Sequence, residues 1–409
     1  MKATASKGDD IMKQHCLLDD NEQLDENWLD QKLSTACNCT DLLDLTLPIN
    51  LHCEAFPFNH DILVQIFYIT IFTAIIFLAL CGNFTVIWII LCHERMRTVT
   101  NYYLLNLAIS DAAISIFNTG FSWTYNFYYV WIFGPTYCAI NNLMGIAPIC
   151  ASVFTMIAMS IDRYMAIVHP LNRRLGQHAT VTTIIAIWIV ALLCGLPALL
   201  ASKEEINYFV DERNNIFVDP ICLADNFPDG NALTSNLFAI YNNVLLVINY
   251  ILPLFVLLYT YGRVAIILRN HESIGDTRHQ ENIKAKRHAA NMLALVVLIF
   301  MFLWLPYQLY FVVLYMYVGT LFDRKMSLYI YLNIYWLGMS STIFNPIIYY
   351  FMNERFRMGF QYAFRWLPLV TLNTNEYHYL LTSKNSHHSR VMSTTRIVTL
   401  QNPYSPILV

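Results

Sequence analysis

Seven long apolar stretches, separated by polar connections, occupy most of the chain. Each contains about 20 or more residues with few charges, which is enough for a helix to cross roughly 30 Å of hydrocarbon. A core helix or a buried strand of a soluble domain needs a shorter run. The pattern therefore predicts seven membrane-spanning helices, at 62–91, 101–128, 138–161, 180–201, 235–262, 289–317 and 327–351.

The composition supports a membrane protein over a soluble one. Of the 409 residues, 56% are hydrophobic and only 13% are charged, and the mean hydropathy is +0.43. Soluble globular chains carry about 25% charged residues. The polar, acidic stretch 1–30 lacks the apolar core of a cleavable signal peptide. We therefore expect the first span to direct its own insertion.

Acidic and basic residues are separated between alternate connections. The segment 1–61 contains 12 acidic residues against four lysines, and the connection 202–232 contains seven acidic residues against two basic ones. The other set of connections is basic, with Arg95, Arg97, Arg173, Arg174, Arg263, Arg269, Arg278, Lys284, Lys286, Arg287, Arg355, Arg357 and Arg365. Because cytoplasmic loops are enriched in Lys and Arg, we expect the N-terminus outside and the C-terminus inside, which requires an odd number of spans.

One ionisable residue, Asp111, is placed deep within the predicted spans, in the stretch LLNLAISDAAISIF. An ionisable group at that depth is costly and is functional by default. A channel or transporter needs polar groups lining a path across the membrane, and one carboxylate does not supply them. A seven-span channel or transporter is therefore only a distant alternative.

Short motifs fall in order on the seven spans. They are Gly82-Asn83, Asn106 with Asp111, Asp162-Arg163-Tyr164, Trp188, Pro253 with Tyr261, Phe300 with Trp304-Leu305-Pro306, and Asn345-Pro346-Ile347-Ile348-Tyr349. Through these motifs the chain resembles the rhodopsin-like (class A) G-protein-coupled receptors over about 60–365. Within that superfamily it is most similar to the tachykinin (neurokinin) receptors, through TVTNYYLLNLA, DRYMAIVHPL and WLGMSSTIFNPIIYYFMNERFRMGFQYAFR.

The resemblance implies an all-α membrane protein built as a seven-transmembrane-helix bundle. We expect an extracellular N-terminal tail (1–61), the bundle (62–352), a short amphipathic helix on the cytoplasmic membrane surface (353–366) and a disordered cytoplasmic tail (367–409). The amphipathic helix is also visible in the residues, because phenylalanines at positions four apart form one stripe and the arginines lie elsewhere.

The resemblance also implies a disulfide between Cys138 and Cys222, which would hold the acidic 202–232 connection over the bundle. Asn38 opens an Asn-Cys-Thr glycosylation acceptor in the predicted outer tail. The residues leave open how the remaining outer cysteines pair, namely Cys16, Cys37, Cys39 and Cys53.

Two absences narrow the ligand. The position on the third span that carries an aspartate in amine receptors is Gly145, and the seventh span has no lysine for a retinal Schiff base. The acidic outer surface would attract a cationic ligand, although a merely soluble ectodomain would carry the same charge. The tachykinin likeness favours a short, C-terminally amidated neuropeptide. The alternative is another amidated neuropeptide, of neuropeptide Y-like or orexin-like type.

The resemblance and helical spacing together identify residues that would line the peptide pocket. Those that match polar or aromatic pocket residues of the family are Asn118, Tyr125, Asn142 and Tyr331. Amides replace the histidines of mammalian members at Asn141, Asn242 and Gln308, and Ala198 replaces a glutamine. Helical spacing toward the pocket adds Tyr307, Phe311 and Tyr335.

The same resemblance implies how activation would reach the inner side. Arg163 would leave Asp162 to meet Tyr261 and the G protein, and Lys286 stands where many receptors have an acid that holds this arginine. Proline in the sixth and seventh spans removes a backbone hydrogen bond and permits a kink. The expected switch residues are Asp162, Arg163, Tyr164, Tyr261, Phe300, Trp304, Pro306, Asn345, Pro346 and Tyr349. The expected G-protein contacts are Arg163, Leu171, Lys284, Lys286 and Arg287.

Asp111 is expected to bind an allosteric sodium ion, with oxygen groups that the resembled fold places around it. The expected ligands are Asp111, Ser152, Ser341 and Asn345, with Asn83 nearby. Hard oxygen ligands suit sodium, which would keep the buried carboxylate charged. No other cofactor is expected.

The sequence thus predicts a multi-pass plasma-membrane receptor that is not an enzyme and binds no nucleic acid. Its expected partners are the amidated peptide, the lipid bilayer and a heterotrimeric G protein, with Gq, phospholipase C and calcium as the route implied by the resemblance. Hydroxyl residues in the tail, at Ser383, Ser386, Ser389, Ser393, Thr394 and Thr395, are candidate sites for receptor kinases and arrestin capture. A polar, disordered tail would have the same composition.

Overall fold

The computed structural model describes residues 50–53, 60–169, 176–210, 216–224, 226–230, 234–270, 277–311, 324–368 and 370–382. Within these residues the main feature is a bundle of seven long helical segments, which we number as spans 1 to 7. Their bounds are Ile62–Cys92, Val99–Ile114 continued by Gly120–Tyr128, Pro135–Val168, Gln177–Ala201, Asn236–Leu246 continued by Leu252–Asn270, Thr277–Leu309 and Arg324–Met352. The predicted all-α seven-helix fold is confirmed.

Spans 1 to 6 are each long and apolar enough to cross a membrane. Span 7 has 29 residues but is more polar, because several of its buried positions carry hydroxyl or amide groups, at Ser340, Ser341, Thr342 and Asn345. These side chains are buried among the other helices, where polar groups find partners. The motif in span 7 is therefore a better predictor of this helix than hydropathy.

Three spans are longer than predicted at the same end of the bundle. Span 3 continues to Val168, span 5 continues to Asn270, and span 6 begins at Thr277. Several of the added turns carry charged or polar residues, so the apolar pattern ends before the helix does. The last predicted residues of the sixth span, 312–317, lie outside the described residues.

Span 3 lies at the centre of the bundle and packs against spans 2, 4, 5 and 6. Spans 1 and 7 approach closely at one small residue. A Cβ added at Gly82 would lie 2.9 Å from the ring of Pro346. Glycine at this position therefore sets the distance between the two helices.

A three-stranded sheet packs on one end of the bundle, which we call the hairpin end. The antiparallel strands β2 (Ser202–Val210) and β3 (Ile216–Ala224) form the hairpin, and β1 (Asn50–His52) pairs in parallel with β2. The predicted disulfide is confirmed, because Cys222 in β3 is bonded to Cys138 in span 3. Cys53 is also disulfide-bonded.

His60 joins the start of span 1 to its neighbours at the hairpin end. Its Nε2 donates to the carbonyl of Phe127, and its Nδ1 accepts from the hydroxyl of Tyr329, both at 2.8 Å. The imidazole also stacks on the Phe127 ring at 4.0 Å. Burial lowers the pKa of His60. The ring is therefore neutral at pH 7 and carries its proton on Nε2.

The opposite end of the bundle, which we call the tail end, is closed by the amphipathic helix. This helix runs over Glu354–Ala363, with the side chain of Asn353 accepting from the first backbone N–H groups. Phe356 is fully buried and its ring lies 5.4 Å from that of Tyr349 in span 7. The predicted phenylalanine stripe therefore begins against the bundle itself.

The prediction of a disordered tail is wrong for the segment that follows. Thr374–Tyr377 is helical and continues into a π-helical turn, His378–Thr382. Tyr377 is buried; its hydroxyl lies 2.8 Å from Nε2 of His93, and its ring stacks on Tyr362 at 4.1 Å. The aromatic burial supplies free energy that offsets the ordering of this short segment. Residues 383–409, with the candidate phosphosites, lie outside the described residues.

Candidate functional site

A hydrogen-bonded group of amides and hydroxyls lies between spans 2, 3 and 7 toward the hairpin end. Asn118 donates to the carbonyl of Asn141 at 3.0 Å and to the hydroxyl of Ser122 at 2.9 Å, and it accepts from the hydroxyl of Tyr335 at 3.1 Å. Asn118 sits in a π-helical turn, Ser115–Thr119, which is a frequent feature of functional sites. We call this group the amide cluster.

The amide cluster depends on the absence of a side chain in span 3. A Cβ added at Gly145 would lie 2.9 Å from the amide nitrogen of Asn118. The glycine that argues against an amine ligand therefore also leaves the space that Asn118 occupies. Sequence reasoning noted Asn141 as an amide in place of a family histidine, but it did not select Ser122, which has no such signal.

An aromatic wall from spans 6 and 7 continues from the amide cluster. The ring of Tyr331 stacks on that of Tyr335 at 6.0 Å, and the ring of Tyr307 lies 4.7 Å from that of Phe311. Phe311 in turn contacts Tyr331 edge to face at 6.3 Å. The three residues that helical spacing added to the predicted pocket, Tyr307, Phe311 and Tyr335, therefore form one continuous group with Tyr331.

Two further predicted pocket residues lie beside the disulfide. Asn142 donates to the hydroxyl of Ser202 at 2.8 Å and lies 3.6 Å from the sulfur of Cys222. The ring of Tyr125 contacts that of Trp131 edge to face at 5.6 Å, and Trp131 belongs to the apolar cluster around the same disulfide. The disulfide thus attaches the hairpin to this side of the candidate pocket.

Two predicted pocket residues are not joined to these groups. Asn242 in span 5 is exposed, and its amide donates back to the carbonyl of Phe238 in its own helix at 2.9 Å. Gln308 in span 6 is half-buried. Among the described residues, neither side chain has a hydrogen bond with a member of the amide cluster.

Asp111 is buried between spans 2, 3 and 7, as predicted. One carboxylate oxygen accepts from the amide of Asn345 at 2.7 Å, and the other lies 3.5 Å from the hydroxyl of Ser152. A cavity of about 10 Å³ borders Asp111, Ser152 and Ser341. This volume holds roughly one water molecule or one small ion.

The hydroxyl of Ser341, which lines this cavity, accepts from the indole of Trp304 at 3.1 Å. Asn83 is not a lining residue: its amide donates to the carbonyl of Thr342 at 2.9 Å, and its Oδ1 is buried with no hydrogen-bond partner. Asn345 turns its amide nitrogen toward Asp111, so it holds the carboxylate by donating rather than by offering an oxygen. Three of the four predicted sodium ligands thus line one cavity, and the fourth binds the carboxylate directly.

The aromatic pair of the sixth span connects this cavity to the candidate pocket. Phe300 lies 5.7 Å from Trp304, and Trp304 lies 5.4 Å from Tyr307. Pro306 is inside the helix of span 6, where it cannot donate a backbone hydrogen bond. A movement of Tyr307 would therefore act directly on the indole that holds Ser341.

The predicted switch arginine lies near the tail end of span 3. Arg163 forms an ion pair with Asp162 at 2.7 Å and a short hydrogen bond with the hydroxyl of Thr100 in span 2. The pairing with Asp162 is the predicted restraint, and the contact with Thr100 adds a second one. The hydroxyls of Tyr261 and Tyr349 are buried with no hydrogen-bond partner, so both are available for a rearranged contact.

The remaining predicted residues are described only in part. Tyr164 packs with Val264 and Ala290 near the tail ends of spans 5 and 6, and Arg287 is exposed at the tail end of span 6. Lys284 and Lys286 lie on the same helix, but their side chains are outside the described part of the chain. Leu171 and Asn38 are also outside it.

Comparison with known proteins identifies a family whose matched region covers the sites described above. Residues 82–349 match the family model of the 7 transmembrane receptor (rhodopsin family). That range includes the amide cluster, the Asp111 cavity and the Arg163 restraint. The chain belongs to the rhodopsin family of seven-transmembrane receptors. It is therefore a multi-pass membrane receptor, and a receptor of this family is not an enzyme.

The most similar relatives place the receptor near the tachykinin receptors. It is 38% identical to the Neuromedin-K receptor of Oryctolagus cuniculus over 336 residues, which cover 81% of this chain and 69% of that protein. It is 39% identical to the Substance-P receptor of Homo sapiens over 75% of this chain and 72% of that protein. The Tachykinin-like peptides receptor 99D of Drosophila melanogaster is 36% identical over 76% of this chain and 60% of its own length. The resemblance seen in the motifs is confirmed.

Proposed function

We propose that this chain is a cell-surface receptor for an amidated neuropeptide of tachykinin type and activates a heterotrimeric G protein of the Gq class. The N-terminus and the hairpin would be extracellular, as the charge distribution between connections indicates. The observation that carries the proposal is the amide cluster with its aromatic wall, in a chain whose relatives are named as tachykinin-type receptors.

The chemistry of the pocket suits the end of an amidated peptide. A carboxamide terminus offers two N–H donors and one carbonyl acceptor without charge, and Asn, Gln, Ser and Tyr side chains can satisfy both. The aromatic wall supplies apolar surface and ring faces for peptide side chains. Apolar surface with a few placed polar groups is typical of a ligand site.

Contacts in the bundle form a route from the candidate pocket to the Asp111 cavity. Tyr335 touches the amide cluster, and Tyr307 touches Trp304. Trp304 donates to Ser341, which borders the same cavity as Asp111. We infer that a peptide that displaces the aromatic wall disturbs this cavity and permits span 6 to move at its proline.

We propose that the Asp111 cavity holds a sodium ion in the resting receptor. The fit rests on a buried carboxylate and two hydroxyls around one small space. Such hard oxygen atoms suit a monovalent cation, and a bound cation compensates the buried charge. Asp111 and the Ser152 and Ser341 hydroxyls would hold the ion, while Asn345 orients the carboxylate.

At the cytoplasmic side, Arg163 and the basic start of span 6 would meet the G protein. We propose that Leu171, Lys284, Lys286 and Arg287 complete this surface. Phosphorylation of the hydroxyl residues after Thr382 by receptor kinases would create an acidic tail for arrestin.

The proposal is tested by expressing the full chain in cells and recording calcium against a panel of amidated peptides. We expect responses to tachykinin peptides, and loss of these responses when phospholipase C is inhibited. The free-acid forms of the same peptides serve as matched controls and should be much weaker. Responses to neuropeptide Y-like or orexin-like peptides alone would overturn the ligand assignment and leave the receptor class intact.

Replacing Asp162 with Asn is expected to raise ligand-independent signalling several-fold. The change removes the ion pair at 2.7 Å and leaves the hydroxyl of Thr100 as the described restraint on Arg163. A partly exposed ion pair contributes about 1 kcal/mol or less, so the resting state should remain the major one. Basal inositol phosphate at matched surface expression is the measurement. Unchanged basal signalling would show that Asp162 does not restrain Arg163.

A further inference from the structure

Glu204 in strand β2 lies on the face of the hairpin that looks toward span 3. In the antiparallel register Glu204 is directly opposite Cys222, and side chains of directly opposed residues lie on the same face of a sheet. The sulfur of Cys222 is bonded to Cys138 at the start of span 3. The carboxylate of Glu204 is therefore carried on the bundle side of the hairpin.

A second contact fixes the same face independently. Side chains along a strand alternate between faces, so Ser202 and Glu204 share one. The hydroxyl of Ser202 accepts from the amide of Asn142, a predicted pocket residue, at 2.8 Å. The face that bears Glu204 is therefore the one that borders the candidate peptide pocket.

Among the described residues, no cation pairs with the carboxylate of Glu204. Its Oε2 atom is buried and has no hydrogen-bond partner. The adjacent cation, Lys203, forms an ion pair with Glu205, and these two side chains share the opposite face of the strand. The side chain as a whole is half-buried, and a carboxylate oxygen that is buried without a partner is costly, so this oxygen favours a cation or a donor in the functional state.

The other residues predicted for the pocket are neutral amides and aromatic rings. A single carboxylate at the border of a neutral, partly buried site attracts a cationic group and gives it a defined position. The acidic 202–232 connection and N-terminal segment supply the wider negative field that brings such a ligand in. Within strand β2, Lys203 does not compete with the ligand for the Glu204 carboxylate, because Lys203 is already paired with Glu205.

We propose that Glu204 binds the guanidinium or ammonium group of a basic residue in the peptide ligand, and so selects peptides that carry a cation at that position. This inference rests on the proposed function, because it takes the occupant of the pocket to be a peptide. It makes Glu204 a specificity-determining residue that sequence analysis did not single out. The signal in the sequence was only one glutamate among seven acidic residues of the loop.

The test uses full-length receptor in cells and amidated tachykinin peptides that contain arginine, each paired with its citrulline analogue. Citrulline keeps the shape of arginine and removes the charge. For at least one arginine position, we expect citrulline to reduce potency on the parent receptor by about tenfold or more. On the Glu204→Gln receptor, the arginine and citrulline peptides should have equal potency. That potency should match the potency of the citrulline peptide on the parent receptor.

Glu205→Gln is the matched control, because it makes the same change one residue away on the opposite face. It should retain the full preference for arginine. Surface expression is measured for each variant, and Glu204→Thr replaces Glu204→Gln if the latter fails to reach the surface. A preference for arginine that survives loss of the Glu204 carboxylate, or that is lost equally in Glu205→Gln, would overturn the assignment.

The result also separates the two proposals. A parent receptor that responds to no tachykinin peptide contradicts the proposed function. A parent receptor that responds, but whose arginine preference does not depend on Glu204, contradicts only the role of Glu204.

Discussion

Replacing Cys222 with Ser is expected to abolish measurable peptide binding at the cell surface. The bond to Cys138 closes a sequence separation of 84 residues, for which chain entropy gives about 4 to 5 kcal/mol of stabilisation. The same bond places the hairpin against span 3, where Ser202 contacts Asn142 and Glu204 borders the pocket. Both the stability of this end and the shape of the pocket therefore depend on it.

The measurement is saturation binding of a labelled amidated tachykinin peptide, with receptor quantified at the surface by an N-terminal tag. Cys92→Ser is the control, because Cys92 is free and exposed at the end of span 1. It should bind like the parent receptor. Full-affinity binding by Cys222→Ser would show that the hairpin reaches the pocket without the disulfide.

Replacing Asp111 with Asn is expected to remove the effect of sodium on agonist affinity. In the parent receptor, sodium should weaken agonist binding about fivefold or more, because an ion that binds the resting state opposes a ligand that favours the active one. The neutral amide cannot compensate a cation in a buried cavity, so the variant should lose this linkage. The amide can still bond Asn345, which now donates to an uncharged group, so the helices should stay packed.

Agonist competition is measured in sodium chloride and in choline chloride at equal ionic strength. Ser110→Ala is the matched control in the same helix, because its hydroxyl is buried but donates to the carbonyl of Asn106 rather than facing Asp111. It should keep the sodium effect. An undiminished sodium effect in Asp111→Asn would exclude the cavity as the sodium site.

The pattern of apolar residues along the chain was sufficient to predict the membrane-spanning parts of the fold. Long apolar runs predict the spans, because a helix satisfies all of its backbone hydrogen bonds within one segment inside hydrocarbon. Asp111 was recognisable because a carboxylate at that depth is exceptional, and the family motifs then supplied Ser152, Ser341 and Asn345. The structure brings these residues together as the motifs indicate.

The connections and local irregularities were not predictable in the same way. In β2 the run SKEEINYFV shows no clean alternation of apolar and polar residues, since the hairpin is stabilised by the disulfide and by contacts with the bundle. Asn118 lies in a π-helical turn, and its side chain occupies space left by Gly145 in another helix. Neither feature is encoded by neighbouring residues, so a reading of local pattern misses both.

The tail segment shows the opposite error, in which composition was given too much weight. The stretch after residue 367 is polar overall, but NEYHYLL contains a short aromatic and apolar group. Tyr377 and Leu381 are buried against the tail end of the bundle. Average polarity predicted disorder, whereas two buried side chains suffice to anchor a short segment beside an existing surface.

The central claim is that the amide cluster and its aromatic wall bind an amidated tachykinin peptide. The most direct measurement is equilibrium binding of one labelled amidated tachykinin peptide to membranes that contain the full-length receptor, in competition with its unlabelled amide and free-acid forms. The account predicts saturable binding that the amide displaces at least about tenfold more effectively than the acid, with this difference lost in Asn118→Ala. Saturable binding in which amide and acid compete equally, or no saturable binding of any tachykinin peptide, would contradict it.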